Sequence, residues 1–188
     1  MPEILRKLND HADPKHCQVI FRPSFGRRGG TGSAQFGEFD FILLSANSIY
    51  LGESKWDRSP EGEQGGKIDL REEQNLRHRI FAFYVERYAF GTYTSWTQFL
   101  REAGSEFSRL FPGKALAPEG SLLAENLQSL LKLIALHFGS HPEVRNVLLY
   151  LHARRSPEGL PSEAPPGFDL VLIDYSSDTI GNFIGIDS

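Results

Sequence analysis

Apolar and polar positions change their period several times along the 188-residue chain, and each change marks an element. Ile4, Leu5 and Leu8 fall at helical spacing and stop before Asp13-Pro14, which predicts a short amphipathic helix. Residues 17–25 read as a strand limited by Pro23, and residues 26–33 are too rich in glycine for the interior of a helix or strand. Two strong β runs follow, 38–44 and 49–56, separated by Ser45-Ala46-Asn47-Ser48, and they predict a hairpin. Asp69 with Glu72 three residues later marks a helix start. The helix runs to about residue 90, with Leu76, Ile80, Phe83, Tyr84 and Tyr88 on one side and Gly91 as its stop. A shorter helix is expected over 95–110 and a longer one over 122–138, where Leu123, Leu127, Leu130, Leu131, Ile134 and Phe138 form the stripe. The apolar runs 144–151 and 168–175 do not alternate, the pattern of central strands covered on both faces. The order α-β-β-β-α-α-α-β-β predicts an α/β sandwich.

Composition narrows this only slightly. A chain of this length, 40% hydrophobic and 23% charged, fits one globular domain over 1–188, with 95–140 as a helical insert and 156–188 as an acidic terminal strand segment. A lone cysteine, Cys17, cannot close an internal disulfide. The first ten residues hold no apolar run of signal-peptide length and no stretch is long enough for a membrane span, so a cytoplasmic protein with no membrane partner is expected.

The hairpin carries the chemistry. Antiparallel pairing about its turn matches residues whose numbers add to 93, which sets Asp40 across from Glu53 and Glu38 across from Lys55. Alternation then gathers Glu38, Asp40, Ile42 and Leu44 on one face with Ile49, Leu51, Glu53 and Lys55. Two carboxylates opposed at roughly 5 Å repel, so this face calls for positive charge. Lys55 supplies one such charge, and a divalent cation held by both carboxylates would supply two. Mg²⁺, with Mn²⁺ as its substitute, takes one or two carboxylates and leaves its other positions to water and phosphate. A lysine beside it suits activation of water for phosphodiester hydrolysis.

These residues, Gly37-Glu38-Phe39-Asp40-Phe41-Ile42-Leu43-Leu44 and Tyr50-Leu51-Gly52-Glu53-Ser54-Lys55-Trp56, resemble the PD-(D/E)XK nuclease superfamily, whose motif is an Asp on one strand and Glu-x-Lys on the next. The helix, three strands, helix, strand order is similar too. The resemblance implies a restriction-endonuclease-like three-layer sandwich, a mixed central sheet flanked by helices. It implies a Mg²⁺-dependent DNA endonuclease with Asp40 and Glu53 as metal ligands and Lys55 as the catalytic lysine. Gln74 matches the glutamine that several members carry on the next helix, and it equally fits a solvent-facing helix position. Phe39 stands where the motif's proline would be. Glu38 suits either assistance to the metal or a salt bridge to Lys55.

Other residues carry weaker signals. Arg27 and Arg28 in the glycine loop suit phosphate, or a plain surface loop, equally. Arg77, Arg79 and Arg87, interleaved with Glu72, Glu73 and Glu86, read as a solvated mixed face. His137 and His141 read as a helix-end pair, because Gly139 and Pro142 interrupt the helix that would align them. The net charge of −4 argues against nucleic acid until its distribution is considered: residues 156–188 hold six acids and no Lys or Arg, and the rest carries 20 basic against 18 acidic residues. Residues 14–37 contain four basic residues and no acid, a basic approach consistent with DNA as partner. The alternative is a catalytically silent nuclease-fold module acting by binding within a larger nucleic-acid-processing assembly. A homodimer is equally compatible with the sequence.

Overall fold

The sheet grows outward from the predicted hairpin. A computed structural model describes residues 1–25, 37–57, 63–64, 67–153, 159–176, 179–180 and 183–184. In chain order these form α1 (Pro2–Lys7), a 3₁₀ turn (Pro14–His16), β1 (Gln18–Phe21), β2 (Phe41–Leu44), β3 (Ser48–Trp56) and the two-residue strands β4 (Glu63–Gln64) and β5 (Lys67–Ile68). Then follow α2 (Glu72–Tyr84), which continues as a π-helical turn (Val85–Ala89), α3 (Trp96–Leu110), α4 (Leu122–His137), β6 (Glu143–His152), β7 (Phe168–Asp174) and the short β8 (Thr179–Ile180) and β9 (Phe183–Ile184).

Five strands make one mixed sheet in the order β1-β2-β3-β6-β7. The first three pair antiparallel, while β6 is parallel to β3 and β7 to β6. A parallel neighbour needs a crossover, and α2, α3 and α4 provide it between β3 and β6. The hairpin register is as the turn implies: Phe41 pairs with Gly52, Ile42 with Leu51, Leu43 with Tyr50 and Leu44 with Ile49. Its turn closes with Ser45 N–H donating to the Ser48 carbonyl (2.9 Å) and Ser48 N–H to Ser45 Oγ (3.2 Å).

Alternation sends the two sides of the hairpin into different cores. Ile42, Leu44, Ile49 and Leu51 pack with Phe81, Phe83 and Tyr84 of α2, Phe99 and Phe107 of α3, and Leu127, Leu131 and Ile134 of α4. Phe41, Leu43 and Tyr50 pack on the other face with Leu5, Leu8, Val147, Leu149 and Val171. Helices therefore cover both faces, and the segment 95–140 belongs to the main core. Each buried Leu, Ile or Phe side chain contributes about 1.5–3 kcal/mol, so these two clusters supply most of the drive to fold.

Three boundaries and the burial of one strand differ from the sequence pattern. β1 stops at Phe21, because Arg22 turns to φ +46° and Pro23 follows. The ladder of β2 begins at Phe41, not at residue 38; Glu38 makes only an isolated bridge to Ser24. α2 starts at Glu72 with Arg71 as its N-cap, and Gln74 rather than an Asp69–Glu72 pair closes the first turn, its Oε1 accepting from Arg71 N–H at 3.1 Å. β7 is an edge strand of this sheet with only Val171 buried, so β6 alone of the two late strands is covered on both faces.

Candidate functional site

Glu53 and Lys55 lie two residues apart on β3, so the pleat points both to the face covered by α2. They are nearly buried, at 3% and 7% exposure, and stand in register with Leu148 and Tyr150 of β6. An ionised carboxylate at that depth needs partners, and α2 provides three. Gln74 Nε2 donates to Glu53 Oε2 (2.7 Å). Arg77 Nη2 donates to Oε1 (2.5 Å), and His78 Nε2 meets the same oxygen at 3.1 Å. The spacing of Gln74, Arg77 and His78, three and four residues apart, sets all three on one side of the helix.

His78 is itself anchored. Its Nδ1 lies 2.9 Å from Asn146 Oδ1, and Asn146 Nδ2 donates to the Gly167 carbonyl (3.1 Å), which orients the amide. Both ring nitrogens thus face oxygen acceptors; a neutral ring can donate to one of them and an imidazolium to both. Phe39 and Phe168 lie against the ring, with centroids 4.9 and 4.8 Å away. Burial pushes the Glu53 pKa up, but the His78 bond and the Arg77 charge outweigh it and hold the carboxyl below its ordinary range.

Asp40 does not sit directly across from Glu53. The ladder ends at Phe41–Gly52, and Asp40 N–H donates to the Gly52 carbonyl (3.1 Å), one residue out of step, as in a β-bulge. Phe39 consequently enters the same core as Ile42, although strict alternation would separate them. The Asp40 carboxylate turns to the strand between Glu53 and Lys55: its Oδ2 accepts from Ser54 N–H and Ser54 Oγ, both at 2.7 Å. Asp40 is therefore tied to Ser54, the residue between Glu53 and Lys55 on β3, by a route that the pairing sum does not describe.

Glu38 pairs with Arg22 (3.1 Å), on the β1 side, rather than standing across from Lys55. Gln74 is a partner of Glu53, not a solvent-facing residue. Arg77 is the main departure from the expected mixed face. Its side chain is 14% exposed, its guanidinium lies over the Phe39 ring at 5.3 Å, and a side chain at Gly37 would put a Cβ 2.4 Å from its Nη1. His137 donates from Nε2 to the Ser45 carbonyl (2.8 Å), tying the end of α4 to the hairpin turn, and His141 Nδ1 lies 3.0 Å from the Pro142 carbonyl. Arg27 and Arg28 lie outside the described residues. Arg77, His78 and Asn146 are the site residues that sequence reasoning missed; the only local signal was the helical spacing of Arg77 and His78 from Gln74, and Asn146 on β6 carried none.

Whether this donor set suits a divalent cation can be judged from its oxygens. Both donors on Asp40 reach Oδ2, and none among the described residues reaches Oδ1. Glu53 Oε2 takes one bond and keeps a second lone pair. Among the described residues no group of three or more His, Cys, Asp and Glu assembles as a metal cage. Two hard carboxylates with water and phosphate completing the sphere is a Mg²⁺ pattern, and Asp40 Oδ1 and Glu53 Oε2 are the oxygens this pair would offer to it.

No family model matches the chain, and neither a curated protein nor a solved structure is similar to it. What stands is an α/β protein with a five-stranded mixed sheet and a buried carboxylate–lysine cluster at its third strand. Among the described residues no helix is long and apolar enough to cross a membrane.

Proposed function

We propose that the chain is a metal-dependent nuclease of the PD-(D/E)XK type with a restriction-endonuclease-like fold, hydrolysing phosphodiester bonds of DNA. The observation that carries this reading is the bond of Asp40 to Ser54, the residue between the buried Glu53 and Lys55 of one strand, with Gln74 from the following helix on Glu53. The antiparallel β1-β2-β3 meander with β6 parallel to β3, and α1 and α2 in their expected places, supports it as well.

In this reading Asp40 and Glu53 hold the Mg²⁺, which when bound supplies positive charge to the phosphoryl oxygens and acidifies water. Gln74 and His78 hold the Glu53 carboxylate in one orientation, and His78 with Arg77 keeps it ionised. Ser54 orients Asp40 through two bonds to one oxygen, and no donor among the described residues reaches the other. Lys55 orients the attacking water or neutralises charge on the phosphoryl group as the P–O bond breaks.

Plasmid and linear DNA, with an RNA arm, test the reading directly. Cleavage with Mg²⁺ or Mn²⁺ is expected for the wild type and a loss of at least about 100-fold for Asp40→Ala and Lys55→Ala, variants whose folding is checked by circular dichroism. Equal cleavage by wild type and variants would sink the assignment. One observation favours the silent binding module instead: the Arg77–Glu53 pair already neutralises a carboxylate that a metal would need. Absence of Mn²⁺ binding at millimolar concentration by the folded protein, with and without duplex DNA, would decide for the module.

A further inference from the structure

We infer that Arg77 is a cation gate on this site: it stands in for the metal at Glu53 until a phosphodiester backbone captures its guanidinium. The inference rests on the reading of Glu53 as a metal ligand and adds how occupancy of that ligand is regulated.

Three observations lead to it. First, the pair is close but incomplete. Only Nη2 reaches Glu53, at 2.5 Å, whereas a guanidinium satisfied by a carboxylate normally uses two parallel N–H groups. Second, Arg77 Nε is buried with no hydrogen-bond partner among the described residues, an unspent donor on the same fork. A phosphate offers a bidentate surface that completes the fork, which the end-on contact to Glu53 does not. Third, apart from Glu53, the contacts described around the guanidinium carry no charge of their own. The Phe39 ring lies at 5.3 Å, and Gly37, at φ +40°, gives Nη1 space that any side chain would fill. Glu53 would keep Gln74 and His78 if Arg77 left, so the carboxylate stays positioned while its charge is released for another cation.

Arg77 and a divalent cation then compete for one carboxylate, and like charges beside it oppose each other in a poorly solvated site. Metal and nucleic acid consequently bind with positive linkage: the backbone draws Arg77 away and the metal affinity rises, and by reciprocity the metal raises affinity for the backbone. A free protein of this kind holds divalent cations weakly and loads them at its substrate.

Calorimetric titration of Mn²⁺ into the full chain tests the gate without reference to turnover. Arg77→Met, which keeps the stem and removes the charge, is expected to bind Mn²⁺ at least about tenfold more tightly than the wild type, a gain that merely structural damage would not produce. A short duplex with a non-hydrolysable phosphorothioate backbone, its own Mn²⁺ uptake subtracted, is expected to tighten Mn²⁺ binding to the wild type at least about threefold and to leave Arg77→Met unchanged. Equal or weaker binding by Arg77→Met overturns the gate and leaves the nuclease reading intact. No Mn²⁺ binding by either protein, with or without duplex, overturns both. If Arg77→Met does not fold, the wild-type titration decides: an affinity unchanged by the duplex overturns the gate.

Discussion

Replacing Glu53 by Gln probes the centre of the site through stability alone. The substitution keeps the shape of the side chain but removes the charge that Arg77 and His78 meet at 2.5 and 3.1 Å. It leaves Arg77, only 14% exposed, as an unpaired cation against the Phe39 ring. Breaking a buried ion pair on one side costs about 3–5 kcal/mol; with Arg77 still partly solvated and over an aromatic face, the low end applies, about 3 kcal/mol near pH 7. The cost must also depend on pH with a definite sign. Glu53 has its carboxyl held below the ordinary 4.5, so its ionised form contributes stability that is fully present above that value and is lost as pH falls through the folded-state pKa. Urea unfolding of wild type and variant across this range is the assay. The difference of about 3 kcal/mol should shrink steadily below pH 4.5 as the wild-type carboxyl itself becomes neutral. A difference under about 0.5 kcal/mol at neutral pH, or one that does not change with pH, would refute the clasp of α2 on Glu53.

Other expectations follow from neighbouring contacts. Gly52→Ala would set a Cβ 2.0 Å from the Phe41 ring across the hairpin and should cost about 3 kcal/mol in urea unfolding, while in a Phe41→Ala background the same change should cost well under 1 kcal/mol; additive costs would contradict the register. Tyr84→Phe removes the hydroxyl that accepts from Ala117 N–H at 2.8 Å and leaves that amide buried and unpaired, a loss of about 1–3 kcal/mol in the same assay. Tyr50 donates to Asp10 at 2.6 Å, with its own hydroxyl pushed up to about 12 chiefly by burial. Burial opposes the low Asp10 pKa that the Tyr50 bond helps maintain, so Tyr50→Phe should raise the Asp10 pKa in an NMR titration; an unchanged value would exclude the bond in solution.

The sequence by itself determined whatever depends on short range. Period-two alternation around Ser45–Ser48 is a local property, so it yields the hairpin register, the shared face of Ile42, Leu44, Ile49 and Leu51, and the common orientation of Glu53 and Lys55. Helical spacing likewise yields Ile80, Phe83 and Tyr84 of the buried side of α2, though not Phe81 or His78, and Leu127, Leu131 and Ile134 of α4. Only the tertiary structure decided what meets Glu53. Gln74, Arg77 and His78 are 21 to 25 residues away, and whether they face water or the carboxylate depends on how α2 docks on the sheet. Asn146, 68 residues from His78, joins because β6 lies beside β3. The same holds for the Asp40 bulge, where burial of Phe39 against Phe81 and His78 shifts the pleat by one residue. A mixed Arg/Glu helix face carries no local mark to distinguish a solvated arginine from one drawn in by a buried charge. That choice is made by long-range electrostatics, because the cost of burying Glu53 arises only once the sheet and helix have packed.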